Sequence, residues 1–95
     1  MHVISRKRLK EAAARHADLG RPLDAWFRIA KKAVWKSLAD VRRTFATADA
    51  FGKWTIFNIK GNQYRLIAEI NYVFGRIYIR HVVTHGEYDR GGWKQ

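Results

Sequence analysis

The sequence predicts an α+β domain whose elements follow the order β-α-α-β-β-β. Two observations carry that prediction: apolar residues recur every three or four positions in the first half of the chain, and every second position in the second half. A third is the punctuation, because Lys60-Gly61-Asn62 and Phe74-Gly75 interrupt the alternating stretch and divide it into three strands. No internal repeat, low-complexity tract or long linker interrupts the chain, so residues 1–95 read as one domain.

His2 to Ile4 is a short apolar stretch and reads as a strand, ahead of Ser5, a good helix N-cap. Arg6 to Asp18 runs through strong helix formers with Leu9, Ala12 and Ala13 on one face. Gly20 and Pro22 punctuate the chain, and Leu23, Trp26, Phe27, Ala30 and Val34 then mark the apolar stripe of a second helix. Ser37 to Thr47 is mixed and suits one further helical turn, with Asp49 to Gly52 as a connection. Lys53 to Ile59, Gln63 to Tyr72 and Arg76 to Val83 are rich in β-branched and aromatic residues and form an antiparallel meander.

Alternation assigns the faces. In the middle strand Tyr64, Leu66, Ala68, Ile70 and Tyr72 should meet the helices, leaving Arg65, Ile67, Glu69 and Asn71 on the other side. In the last strand Ile77, Ile79, His81 and Val83 form the apolar set, opposite Arg76, Tyr78, Arg80 and Val82. With Phe74-Gly75 as a two-residue turn, Val73 pairs with Arg76, Arg80 stands opposite Glu69, and Arg65 stands opposite Thr84. A helix-free sheet surface carrying Arg65, Arg80 and Tyr78 would suit a phosphate; equally, Arg80 and Glu69 would make a cross-strand ion pair and Arg65 a solvated charge.

Composition narrows the function. The chain has 19 Lys and Arg against 8 Asp and Glu, a formal charge of +11, with 47% hydrophobic and 14% aromatic residues. That is too apolar for a disordered basic tail, so the charge is displayed on a folded surface. Residues 1–45 hold 12 basic and 4 acidic side chains, and residues 46–95 hold 7 and 4, so the first half is the electrostatic half. A polyanionic partner is expected, with nucleic acid ahead of an acidic protein or an anionic membrane. The absence of cysteine excludes disulfides, thiol nucleophiles and zinc ribbons. With no long apolar run and no signal-peptide pattern, the expectation is a soluble, cytoplasmic protein with no membrane partner. Four histidines without cysteine or ligand-like carboxylate spacing make no credible metal site, and no phosphate-loop, G-x-S-x-G or dinucleotide signature is present, so neither metal nor cofactor is expected.

The densest chemistry lies in Thr84-His85-Gly86-Glu87-Tyr88-Asp89, directly after the last strand, where a loop would be positioned by a rigid sheet. Together with Asn58-Ile59-Lys60-Gly61-Asn62-Gln63-Tyr64-Arg65-Leu66-Ile67, this segment resembles the HigB family of bacterial toxins, whose members show N-x-x-G-N-x-Y-R-L and T-H-x-E-Y-D segments. The amino-terminal M-H-V-I-S-R-K-R-L-K is also similar to that family, so the resemblance spans nearly the whole chain. It implies a RelE-like fold: a compact sheet with two amino-terminal helices. It also implies a toxin that cleaves messenger RNA, commonly on the translating ribosome, and that is neutralised by a HigA-type antitoxin carrying a helix-turn-helix domain. Operator DNA would be reached only through that antitoxin.

Metal-free RNA cleavage uses the ribose 2′-hydroxyl as nucleophile on the adjacent phosphate, so it needs acid–base groups and fixed cations. His85 and Tyr88 are the acid–base candidates, and Tyr88 would alternatively stack on a base. Arg65 and Arg80 would hold the scissile phosphate, with Lys60 adding charge at the turn. Each has a plainer reading: His85 as a turn histidine, Tyr88 as an edge of the core, Glu87 and Asp89 as a solvated acidic turn or as braces for His85 or Arg80. His81 reads as a core histidine, His2 and His16 as isolated, and Trp93 as packing back on the sheet.

Arg6, Lys7, Arg8, Lys10 and Arg15, with Arg28, Lys31, Lys32 and Lys36, make the helical layer basic and suit ribosomal RNA phosphates. Ordinary solvated helix faces are the plainer account, partly offset by Glu11–Arg15 and Asp24–Arg28 at i, i+4 spacing. Two functions therefore compete: an mRNA-cleaving toxin, and a non-catalytic basic RNA- or DNA-binding module. An inert partner of an acidic protein is a third.

Overall fold

The computed structural model describes residues 1–94. Strand β1 (His2–Ile4) leads into helix α1 (Arg6–Arg15), a 3-10 turn at Ala17–Leu19, helix α2 (Gly20–Lys32) and helix α3 (Leu38–Thr44). Strands β2 (Asp49–Phe51), β3 (Trp54–Ile59), β4 (Tyr64–Asn71) and β5 (Arg76–Thr84) follow, then helix α4 (His85–Arg90) and a 3-10 turn at Gly92–Lys94. The strands form one five-stranded sheet in the order β1-β5-β4-β3-β2. β1 lies parallel to β5 at one edge, and the other neighbours are antiparallel.

The α+β class and the meander stand as predicted, with two additions. Asp49–Phe51, expected to be a connection, is an edge strand paired with β3 through Phe51 and Trp54. All three of its residues are exposed, so the sequence carries no burial pattern there. Thr84–Asp89, expected to be a loop, is largely helical. Thr84 Oγ1 accepts from the Glu87 amide at 3.2 Å while a Glu87 carboxylate oxygen accepts from the Thr84 amide at 2.9 Å, a reciprocal capping box. Gly91, at φ 78°, closes the helix in a left-handed conformation that favours glycine.

The helix boundaries also shift. α1 stops at Arg15, and α2 begins at Gly20 with Pro22 in its first turn, where a missing N–H costs nothing. Ser5 is not a side-chain cap: it sits at φ 73°, and its carbonyl accepts from the Arg8 amide. Ser37 does cap α3, accepting from the Asp40 amide.

The main core lies between the helices and one sheet face. Phe57, wholly buried, is ringed by Trp26 at 5.3 Å, Phe45 at 5.4 Å and Trp35 at 6.1 Å. Burying each such side chain is worth about 1.5–3 kcal/mol. Tyr64, Leu66, Ala68, Ile77 and Ile79 face this layer, as alternation predicts.

The β4–β5 register differs from expectation. Asn71 pairs with Arg76, so the connection spans four residues rather than two, and a bulge between Ile67 and Ala68 leaves Arg80 without a partner on β4. Tyr78 stands opposite Glu69, and Val83, not Thr84, stands opposite Arg65. Beyond the bulge every side chain changes face, because sheet faces alternate strictly with residue number. Val82 therefore joins the main core, while Val83 packs on a second cluster with Ile56, Ile67, Tyr88 and Trp93 on the far side of the sheet. That far face, expected to be helix-free, is covered in part by α4 and the closing 3-10 turn. His81 is half-buried there rather than set in the main core.

Candidate active site

The last strand delivers His85 to the first position of α4, and the helix then sets its side chains by turn. His85 and Asp89 are one turn apart and meet, Nε2 to Oδ2, at 3.1 Å. Tyr88 faces the sheet and stacks on Trp93, with centroids 5.1 Å apart and planes within 7°. The Trp93 indole N–H donates to the Tyr88 carbonyl at 2.9 Å, tying the C-terminal turn to α4.

Arg65 links these groups. Its side chain is only 8% exposed, on the far face of β4. Nη1 donates to the carbonyls of Asn62 and Tyr64 at 3.0 and 3.2 Å. Nη2 donates to Asn62 Oδ1 at 2.6 Å and meets His85 Nδ1 at 3.2 Å. The guanidinium carbon also lies 5.2 Å over the Tyr88 ring, a cation–π distance. The structure thus brings together three of the sequence-predicted residues, Arg65, His85 and Tyr88.

The other two are held elsewhere. Lys60 occupies a left-handed turn position at φ 52° and its ammonium donates to Asp18 at 2.7 Å, on the helix side. Tyr64 donates to the same carboxylate at 2.9 Å. Hydrogen bonds from Lys60, then Tyr64, hold the Asp18 carboxyl below its ordinary range, and donation to Asp18 pushes the Tyr64 phenol up. Arg80, at the bulge, donates from Nε to Glu69 at 3.1 Å, so the ion pair expected from the sequence forms, though across a different register.

Beside this cluster runs a groove of about 810 Å³ along the outer edge of β5, between α1 and α4. β1 covers only Arg76 to Tyr78, which leaves the later part of β5 without a strand neighbour on that side. Arg8, Arg15, Arg80 and Arg90 line it against Glu11 and Glu87, with His16 and His81 on its walls. Arg8 donates to the Arg80 carbonyl at 3.0 Å and so fastens α1 to the bulge. Burial, aided by Arg8 and Arg80, pushes the His81 imidazole below its ordinary value. The Thr84 amide does the same for the Glu87 carboxyl.

Of the residues expected to meet RNA phosphates, Arg6, Lys7, Arg8, Lys10, Arg28 and Lys32 are all exposed. Arg6 lies 4.0 Å over the Phe27 ring, and Arg28 is paired with Asp24 at 3.0 Å. Sequence reading assigned no role to Asn62 and left Asp89 between a brace and a solvated turn. The signal for Asp89 is its i, i+4 spacing from His85, which has meaning only once Thr84-His85-Gly86-Glu87 is read as a capping box. Arg90 and Glu11 were missed because groove and bulge are tertiary features.

The fold is α+β with a five-stranded sheet, and the class of protein it belongs to is the RelE-like toxins. Residues 20–91 match the family model described as HigB_toxin, the RelE-like toxic component of a toxin–antitoxin system, and the chain belongs to that family. It is 31% identical over 93 residues to the mRNA interferase HigB of Escherichia coli O6:H1, covering 95% of this chain and 90% of that protein. It is 34% identical over 92 residues to an mRNA interferase toxin HigB of another Escherichia coli strain, and to an mRNA interferase HigB of Shigella flexneri, covering 94% of this chain and 88% of each. No helix among the described residues is long and apolar enough to cross a membrane.

Proposed function

We propose that this toxin is a metal-independent endoribonuclease that cleaves messenger RNA, on the translating ribosome, by attack of a ribose 2′-hydroxyl on the neighbouring phosphate. The observation that carries the reading is His85 held between Arg65 and Asp89, beside Tyr88 and next to an arginine-lined groove. His85 and Tyr88 exchange protons with the 2′-hydroxyl and the leaving 5′-oxygen. The developing charge on the phosphate is met by Arg80, whose Nε alone is engaged by Glu69, with Arg65 and Lys60 adding field from positions fixed by their own partners.

The exposed Arg6, Lys7, Arg8, Lys10, Arg28 and Lys32 carry the complex onto ribosomal RNA through phosphate contacts. A HigA-type antitoxin with a helix-turn-helix domain neutralises the toxin in the cytoplasm and brings it to operator DNA. The names of the relatives, mRNA interferases over nearly the full chain, support the activity.

The test is to map RNA 5′ ends after adding wild type or His85→Ala to a translating extract and, in parallel, to naked RNA with EDTA at fixed salt. Cuts by wild type that survive chelation and fall by about 10²–10⁴-fold in the variant are expected. Undiminished RNA binding with no cuts in either setting would replace the enzyme with a non-catalytic binding module.

A further inference from the structure

The sequence suggests that Arg65 grips the scissile phosphate, but its geometry assigns it a different task. Arg65 is 8% exposed and donates four hydrogen bonds, to the carbonyls of Asn62 and Tyr64, to Asn62 Oδ1 and to His85 Nδ1. A guanidinium has five N–H groups and no acceptor, so four of its donors are consumed within the protein. Little is left to follow a substrate.

The consequence falls on His85. Because guanidinium nitrogen cannot accept, the contact at 3.2 Å requires His85 Nδ1 to be the acceptor. In the neutral ring the proton then resides on Nε2, the nitrogen that meets Asp89 Oδ2 at 3.1 Å. We infer that Arg65 is a positioning residue: braced by Asn62, it locks His85 in the Nε2–H tautomer, with that N–H directed at Asp89 in the free protein. The role rests on the proposed part of His85 in cleavage only for its meaning; the tautomer is a property of the free protein.

Two contacts favour the same tautomer, so they must be separated. Long-range ¹H–¹⁵N spectra of uniformly labelled protein, recorded where His85 is neutral, report which ring nitrogen carries the proton. Wild type and Asp89→Ala should both show a protonated Nε2 and an unprotonated Nδ1, because the Arg65 contact remains. Adding Arg65→Met to Asp89→Ala should move both nitrogens off the pure Nε2–H positions toward those of the free imidazole, a mixture in which that tautomer is the major but not the sole form. If removing that buried guanidinium unfolds the chain, Asn62→Ala in the Asp89→Ala background supplies the same comparison, because Asn62 is exposed and braces Arg65 without touching His85; a shift in the same direction is expected.

A proton on Nδ1 in wild type, a tautomer already mixed in Asp89→Ala, or one unmoved when Arg65 or its brace is removed would overturn the assignment. Unchanged RNA cleavage by His85→Ala would instead remove the catalytic reading while leaving the tautomer result standing, so the two failures are distinguishable.

Discussion

Replacing Trp93 by alanine should unfasten the candidate site while leaving the main core intact. Its ring is 5% exposed, stacks on Tyr88 at 5.1 Å, meets Trp54 edge-on at 5.5 Å and Phe51 at 6.0 Å, and its N–H donates to the Tyr88 carbonyl at 2.9 Å. A buried Trp→Ala change costs about 3–5 kcal/mol, and the small satellite cluster around Ile56 and Ile67 puts this one near the lower end, about 3 kcal/mol. A domain of this size has about 5–14 kcal/mol in all, so the variant stays folded. With an unfolding entropy of about 0.2 kcal/mol/K for the domain, the melting temperature should fall by about 15 °C. Trp93→Phe keeps the stacking and loses the hydrogen bond, so about 1 kcal/mol and about 5 °C are expected. Calorimetric melts of the three proteins make the measurement. A Trp93→Ala melt within about 2 °C of wild type would refute the reasoning, because it would place the ring outside the cooperative unit.

Two further outcomes follow from the residues around α4 and the groove. Thr84→Ala removes the cap that satisfies the Glu87 amide and should cost about 1 kcal/mol, seen as a drop of about 5 °C in the same melts, whereas Glu87→Gln, which can still accept from the Thr84 amide, should cost less. His81 is pushed below its ordinary value of 6.5 by burial, so the unfolded chain binds its proton first as the pH falls. Stability should therefore be fully retained above that value and decline as the pH drops toward the folded-state pKa; in denaturant titrations His81→Gln should flatten this slope, and an equal slope in both proteins would count against it.

The parts of the fold written in local pattern were legible from sequence. The stripe containing Leu23, Trp26 and Ala30 marked α2, and the alternation of Tyr64, Leu66 and Ala68 set the inward face of β4 correctly. What escaped was either unpatterned or non-local. β2 has no buried residue, so neither period appears in it. The bulge that frees Arg80 is a single unpaired residue, and it reverses the facing of His81, Val82 and Val83 without leaving a trace in composition. The cluster of Thr84 to Asp89 was visible as chemistry, yet its helical form had to be read from the Thr84–Glu87 spacing. Alternation placed Arg65 on the face away from the helices and the family resemblance gave it a role, but its partners came from the fold.

The parallel pairing of β1 with β5 has a consequence for how the molecule comes into being. Val3 lies against Ile77, so β1 must wait for β5 before its edge of the sheet is complete. Closing so long a stretch of chain is entropically slow, and the hairpins β2–β3 and β3–β4 have short connections that form more readily. During synthesis, with residues appended from the N-terminus, the basic helices emerge first and His85, Tyr88 and Trp93 last. A nascent chain therefore displays most of its cationic surface before it owns a finished site: residues 1–45, with 12 basic against 4 acidic side chains, already carry +8 of the +11 net charge while the chemistry of β5 and α4 is still to come.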